Sequence, residues 1–359
     1  MRAAEIAPGD FVIGSDGSLH EVVSSSEHED KLYSIQAYST VSFEATASTK
    51  LLVRLRDRYV TRDSRPEYQV MTIKELMKEE KEKPLYKKYL VALPMALKDE
   101  YPEWSGVYIK RAYDPMLEKT IDVYDDRLWY LVGLFLKSGN ISKNYRNGDL
   151  ALPYIAITIT VPLGIVAEIA ARIPEYLNCS VKEQYSKNND RISIGNAELA
   201  MFMSAFGNKR NEKSVPAAVY NLPSSACRAI IAGFFRASDN ELSEFRGKDK
   251  RCRMTVTNPG LAMSLSYIVM KGFGIPCRVS RIKANRTRSI GDRTFTMGDF
   301  YNVDFYLLPL RSHHEIFEGG YFWYPIRNIE KSGKGKSISL DIDGDESIIS
   351  AGMTLIQGK

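Results

Sequence analysis

Four cysteines, Cys179, Cys227, Cys252 and Cys277, are all the thiols in 359 residues. None sits in a C-x-x-C pair or beside a histidine, so the sequence offers neither a zinc site nor a secreted disulfide framework. Buried, reduced thiols are the expectation. Long apolar runs are lacking as well. No segment approaches the ~20 apolar residues that a membrane helix needs, and the N-terminus has no signal-peptide pattern. No membrane partner is expected, and the expected location is nuclear or cytoplasmic.

What is present is ordinary for a folded protein, with 44% hydrophobic and 26% charged residues. The length suits two domains of ~100–200 residues each. The net charge of +5 is unevenly spread: from Arg246 to Arg293 twelve lysines and arginines accompany two acids, Asp249 and Asp292, a local balance of +10. Charge concentrated on a folded surface favours a polyanion, because neutralising phosphates releases counterions. These charges alternate with apolar residues as in strands, the pattern of a nucleic-acid surface.

The N-terminal stretch reads as β. Phe11-Val12-Ile13 and Glu21-Val22-Val23 flank the hairpin turn Asp16-Gly17, and short strands continue at Leu32–Ile35 and Leu51–Val53. A helix capped by Thr72 carries Ile73, Leu76 and Met77 on one face, with a stop expected at Pro84. From Asp125 the character changes. A dense apolar helix, Leu128–Leu136, precedes a strand (Ala156–Thr160), an amphipathic helix (Leu163–Leu177) and strands at Ser180–Tyr185 and Arg191–Ile194. A second apolar helix, Ala226–Phe235, precedes a strand (Arg253–Thr257), a helix (Gly260–Gly272) and strands at Arg278–Ile282 and Asn302–Leu307. The helix glycines Gly133 and Gly233 lie one hundred residues apart, so two αβ copies make a pseudo-twofold domain. Short strands return at Tyr321–Tyr324, Ser337–Leu340 and Ile348–Ile356. The pattern is a β domain interrupted by an inserted αβ domain.

The segments Leu131-Val132-Gly133-Leu134-Phe135-Leu136-Lys137-Ser138-Gly139 and Ile231-Ala232-Gly233-Phe234-Phe235-Arg236-Ala237-Ser238-Asp239 resemble the paired motifs of LAGLIDADG homing endonucleases. Gly133 and Gly233 would let the two helices approach closely. Lys213-Ser214-Val215-Pro216, after Gly207-Asn208, resembles the lysine block of intein endonucleases; its lysine stands 25 residues before Ser238. Outside this region, Pro8–Gly17, Thr46–Arg54 and Asp345–Gly358 resemble Hint splicing blocks of the yeast intein type. The resemblance implies an α+β fold in which a β-rich Hint-like domain (1–118 and 319–359) is interrupted by an αββαββα-type LAGLIDADG domain (119–318, halves 119–208 and 209–318).

The departures decide the expected activity. Splicing starts at a Cys or Ser nucleophile, whereas this chain opens Met1-Arg2. Thr49 stands where the family has its activating histidine, and Gln357-Gly358 replaces the terminal His-Asn pair, so neither proton transfer nor side-chain cyclisation has its group. At the motif positions where the family presents metal-binding acids stand Ser138 and Ser238, and a neutral hydroxyl is a poor ligand for a hard cation. Asp239, one residue on and rotated by roughly 100°, is the substitute acid if cleavage survives. Lys213 stands where the resemblance implies the family's lysine that assists catalysis.

The resemblance thus implies a monomeric DNA-binding protein, splicing-dead and nuclease-deficient, on a long asymmetric duplex site. Arg251, Arg253, Arg278, Arg281, Lys283, Arg286 and Arg288 are the DNA contacts expected in the second half, with Lys182, Lys187 and Arg191 in the first. No cofactor is expected, or Mg²⁺ if cleavage persists, and no metal site is assigned. An active site-specific endonuclease and a protein-interaction scaffold are the alternatives.

Overall fold

The computed structural model describes residues 6–13, 19–38, 42–56, 68–82, 84–94, 99, 101, 121–144, 154–238, 251–283, 287–290, 293–296, 298–307, 316–318, 321–343, 347–349 and 355–357. The chain is mixed α and β with antiparallel sheets, in two compact units: Met1–Lys98 with Pro276–Phe305 and Pro309–Lys359, and Asp99–Ile275 with Tyr306–Leu308.

In the first unit β1 (Phe11–Ile13) and β2 (Leu19–Ala37) pair antiparallel with Val12 opposite His20, as a hairpin requires; its Asp16-Gly17 turn lies outside the described residues. After β3 (Phe43–Thr46), β4 (Lys50–Leu55) and β5 (Tyr68–Thr72) comes α1 (Ile73–Glu80). Its start is a capping box: the Glu75 amide donates to the Thr72 hydroxyl at 3.2 Å and the Thr72 amide donates to the Glu75 carboxylate at 2.8 Å. Ile73 and Leu76 are fully buried. The helix ends before Pro84, which instead leads a single turn, α2 (Leu85–Lys88), into β6 (Tyr89–Pro94).

The second unit opens with α3 (Asp126–Ser138), capped by the Asp125 carboxylate, which accepts from the Arg127 amide at 2.8 Å. Then follow β7 (Gly139–Asn144), β8 (Tyr154–Val161), α4 (Val166–Ala171), β9 (Ser180–Gln184), β10 (Asp190–Gly195), α5 (Ala197–Ser204), α6 (Ser224–Arg236), β11 (Arg251–Val256) and α7 (Pro259–Phe273). The helix expected over Leu163–Leu177 is cut to one short turn of α4 and a 3₁₀ turn at Glu175–Leu177. Pro174 between them has no amide to continue the ladder. Helix α5, with Asn196 as its cap, was not anticipated from the sequence. Strands β7-β8-β10-β9 form an antiparallel sheet whose inner face is Ile157, Ile159, Val161, Ile192 and Ile194, all buried.

Back in the first unit, β12 (Arg278–Ile282) pairs with β15 (Phe300–Tyr306) and β13 (Thr287–Ile290) with β14 (Arg293–Thr296). Strands β16 (Ile316–Glu318), β17 (Tyr321–Ile342), β18 (Ser347–Ile349) and β19 (Leu355–Gln357) complete it. The large sheet runs β1-β2-β17-β6-β4-β19-β18, with β3, β5 and β16 added to its strands. Four short strands expected from the sequence are in fact parts of two long ones, β2 and β17, paired from Ala37–Ile326 to Val22–Ile342. Between the apolar ends their residues are mostly exposed, so no alternation marked the strand there. Gly333, at φ +133°, sits at one of the register shifts. Leu90, Ala92 and Trp323 form a buried cluster with Leu52 and Tyr321 packed against it.

Of the four thiols, Cys227, Cys252 and Cys277 are buried and Cys179 is half-buried; none forms a disulfide, and burial pushes Cys227 and Cys252 up to about 12. Among the described residues no helix is long and apolar enough to cross a membrane.

Candidate functional site

Helices α3 and α6 meet backbone to backbone at the two motif glycines. A methyl group on Gly133 would stand 2.0 Å from the Ile230 carbonyl oxygen and 2.8 Å from the Phe234 amide nitrogen. One on Gly233 would stand 2.0 Å from the Tyr130 carbonyl oxygen and 3.1 Å from the Leu134 amide nitrogen. Each partner lies one hundred residues from its counterpart, so the contact is reciprocal, as a local twofold demands. Only glycine permits this approach. The helix faces around it are apolar and buried, including Leu131, Val132, Phe135, Ile230, Ile231 and Phe234.

Five residues beyond each glycine stands a serine. The Ser138 hydroxyl donates to the Leu134 carbonyl at 3.4 Å and the Ser238 hydroxyl to the Phe234 carbonyl at 3.5 Å, so the serines match each other as the glycines do. Asp239 lies outside the described residues.

Ser138 lines a cleft of about 360 Å³ together with Leu136, Lys137, Gly139, Asn140, Asn208, Lys209, Arg210 and Lys213. Lys213 is held there by its loop. Gly207, at φ +79°, leaves no room for a side chain: a Cβ would stand 2.1 Å from the Glu212 carbonyl oxygen. The Ser214 amide donates to the Phe206 carbonyl at 3.0 Å, and the Asn258 amide group donates to the Asn211 and Lys213 carbonyls at 3.1 and 2.9 Å. Asn208 ties the loop to β7 through both of its amide atoms, accepting from the Ile141 amide and donating to the Ile141 carbonyl. Lys213 is 3% exposed, and its Nζ has no hydrogen-bond partner and lies 3.1 Å from the Phe135 ring centroid. Burial pulls it down to about 7, against the opposing pull of Glu212. Burial, helped by Arg210, also lowers Lys137.

These residues do not fit the divalent cation that the resemblance implies. A hard cation takes anionic and carbonyl oxygens, and this cleft presents four cationic side chains beside Ser138. Among the described residues no group of three or more His, Cys, Asp and Glu side chains is placed to hold a metal ion.

The outer face of the first-half sheet is polar. Register puts Asn140, Thr158, Ser193 and Lys182 in one row and Thr160, Arg191 and Gln184 in the next. Lys182, Gln184 and Arg191 are exposed, and Lys187 follows in the β9–β10 loop. On β11 the exposed Arg251 and Arg253 alternate with the buried Cys252 and Met254, so both arginines share a face. The β12–β15 ladder separates two other candidates. Arg278 stands opposite Asp304 on one face, whereas Arg281 stands opposite Tyr301 on the face of Val279 and Val303, where Asp299 accepts from its Nε at 2.7 Å. Lys283 is exposed. Arg286 lies outside the described residues, and only the backbone of Arg288, in β13, is described.

In the first unit, one position assigned to splicing pairs with the sequence neighbour of another. Gln357 pairs with Lys50 across β19 and β4, one residue beyond Thr49. The Thr49 hydroxyl accepts from the Thr46 amide at 3.1 Å and lies 3.1 Å from the Thr46 hydroxyl, closing the β3–β4 turn. Gly358 lies outside the described residues.

Lys137, Asn140, Lys209, Arg210 and Asn258 escaped the sequence reading. The first two flank Ser138 within two residues, and Lys209-Arg210 follow Gly207-Asn208, so adjacency to the motifs was the available signal.

No protein-family model and no curated protein matches the chain. Among solved structures it is similar to the homing endonuclease I-DmoI, seen as a variant bound to its target DNA in the presence of magnesium: 14% identity, TM-score 0.36, over 50% of this chain and 88% of that one. A complex of I-DmoI with DNA and manganese gives the same identity, coverage and score. The N-terminal LAGLIDADG domain of WhiA is similar at 10% identity and a TM-score of 0.28, over 49% of this chain and 74% of that one. Likenesses this distant carry no function across.

Proposed function

We propose that this chain is an intein-derived, homing-endonuclease-like protein that binds double-stranded DNA and neither splices nor cuts efficiently. The carrying observation is the reciprocal contact at Gly133 and Gly233, with a matched serine rather than a carboxylate five residues beyond each. An apolar core alone does not require glycine at both crossing points or matched residues after them. The polar outer face of β7-β8-β10-β9, with Lys182, Gln184 and Arg191 projecting, supplies hydrogen-bonding and charged groups of the kind that reads base edges and phosphates. Arg251 and Arg253 add a basic strand face.

In this reading residues 1–118 and 319–359 are the splicing remnant and 119–318 the inserted DNA-binding domain, with β12 to β15 counted in the insertion by sequence position although they group with the first compact unit. The protein acts as a monomer on a long asymmetric site. Splicing is lost because Thr49 has no titratable ring and is bonded to its own turn. Cleavage is lost because the cleft beside Ser138 is lined with cations and, among the described residues, holds no carboxylate to bind a metal. The test is selection from a random duplex library, scored for salt-dependent binding and for cleavage in Mg²⁺ and Mn²⁺. Retained binding without cutting is expected. A protein that retains no duplex at low salt refutes the reading.

A further inference from the structure

The cleft at the end of α3 contains more positive charge than its own acids answer. Of its four cationic side chains, Lys209 is paired with Glu212 at 3.4 Å on the exposed rim. Among the described residues that line the cleft, Lys137, Arg210 and Lys213 have no carboxylate. The Lys213 amine is buried with its nitrogen unpartnered, and the face of Phe135 is what it touches. A ring face offers a cation–π contact and no hydrogen-bond acceptor. A buried ammonium without acceptors is costly, and an anion beside it would supply them.

We propose that this cleft is an anion site that takes one phosphate group, from a DNA backbone or from free phosphate, in the position where the family resemblance implies a divalent cation. The inference rests on the DNA-binding reading only for the first of those two sources.

The donor set suits a tetrahedral oxyanion. Lys213 and Lys137 supply point charges, and Arg210, exposed beside them, supplies a planar fork matched to two phosphate oxygens. The Ser138 hydroxyl, weakly held at 3.4 Å by its own helix, and the exposed Asn140 amide complete a neutral side. The Asn208 amide is engaged by Ile141 and serves to hold the wall. A volume of about 360 Å³ is many times one water's share of ~30 Å³. Bound phosphate gives the Lys213 ammonium the acceptors it lacks, and by linkage the protonated amine then binds phosphate more tightly than the neutral one.

The test follows the Lys213 titration by NMR in the full chain labelled with ¹³C at its lysine ε-carbons. Three additions are compared: inorganic phosphate, a short DNA duplex, and Mg²⁺. Saturating phosphate or duplex is expected to raise the midpoint from about 7 by at least ~1 unit, a roughly tenfold preference for the protonated amine. A response to phosphate alone assigns the free anion as the source, and a response to duplex alone assigns the backbone. Arg210→Gln, at an exposed position, should weaken the anion response severalfold with the fold intact. Ser138→Asp should raise the midpoint without any anion and remove the response, because its own carboxylate fills the cleft. No movement with either anion, or a midpoint lowered by Mg²⁺, overturns the proposal. Filter binding on the same samples separates the two readings: duplex bound while neither anion moves Lys213 sinks the anion site alone, and a phosphate response in a protein that binds no duplex sinks the DNA-binding reading alone.

Discussion

Replacing Gly133 by alanine sets two effects of opposite sign against each other. In a helix interior alanine is favoured over glycine by ~1 kcal/mol. At this position, however, the added methyl lands 2.0 Å from the Ile230 carbonyl oxygen and 2.8 Å from the Phe234 nitrogen, where ordinary contact begins at 3.4 Å. Both obstacles are backbone atoms of α6, so no rotamer change relieves them and the helices must open by roughly 1.4 Å. Overpacking of a close-packed core costs ~1–3 kcal/mol, and a backbone obstacle belongs at the upper end. The difference is about 2 kcal/mol of destabilisation, up to roughly thirtyfold in the folding constant. Gly233→Ala should cost a similar amount, because the Tyr130 carbonyl stands at the same 2.0 Å. The double variant should lose less than the sum, since one opening accommodates both methyls. Urea unfolding of the four proteins, followed by near-UV circular dichroism, reads these values. A Gly133→Ala protein as stable as the parent, or more so, would mean that propensity wins and that the helices do not meet here.

Other predictions concern charge and chemistry. Burial holds Lys213 at about 7 against an ordinary 10.5, so between those values the unfolded chain binds the extra proton and stability should climb as pH rises. Lys213→Met should be more stable than the parent at pH 7 and should flatten that climb in denaturant titrations across the range. Ser138→Asp with Ser238→Asp should gain Mg²⁺-dependent cleavage of a selected duplex, either single change less; a double variant that binds DNA and Mg²⁺ yet never cuts would show that further catalytic parts are gone. Changing Arg251 and Arg253 together to alanine should reduce the log–log salt slope of DNA binding by about 2, whereas Arg281→Ala, whose guanidinium already serves Asp299, should change it less. An equal loss from both would place Arg281 on the interface. The chain set between two reporter domains should yield no ligated reporter by mass spectrometry.

The two apolar helices were legible because their hydrophobic residues are continuous and their ends are marked, Asp125 before α3 and Gly139 after it. The close approach was legible too, in the paired glycines. Less legible were elements whose residues face water on both sides: the middle of β2 and β17 carries no period-two signal, so one long pairing read as separate strands. Pro174 interrupts a stretch whose apolar spacing continues the helical period, so the break is set by the missing N–H and not by the pattern. The site was half legible. Ser138, Ser238 and Lys213 stood out by spacing, but the burial of Lys213 over Phe135 and the cationic lining from Lys137 and Arg210 depend on how the Gly207–Lys213 loop folds back. The separation of Arg278 from Arg281 follows from strand parity, which a charge count ignores.

The measurement that bears most directly on the central claim is binding and cleavage on one selected duplex, made across a salt series with Mg²⁺ and again with Mn²⁺. A surface making ~6–10 phosphate contacts should lose roughly 10³–10⁵ in affinity between about 50 and 200 mM salt, and the bound duplex should be recovered intact. Stoichiometric or catalytic cutting by the unmodified protein would contradict the account, as would binding that is indifferent to salt.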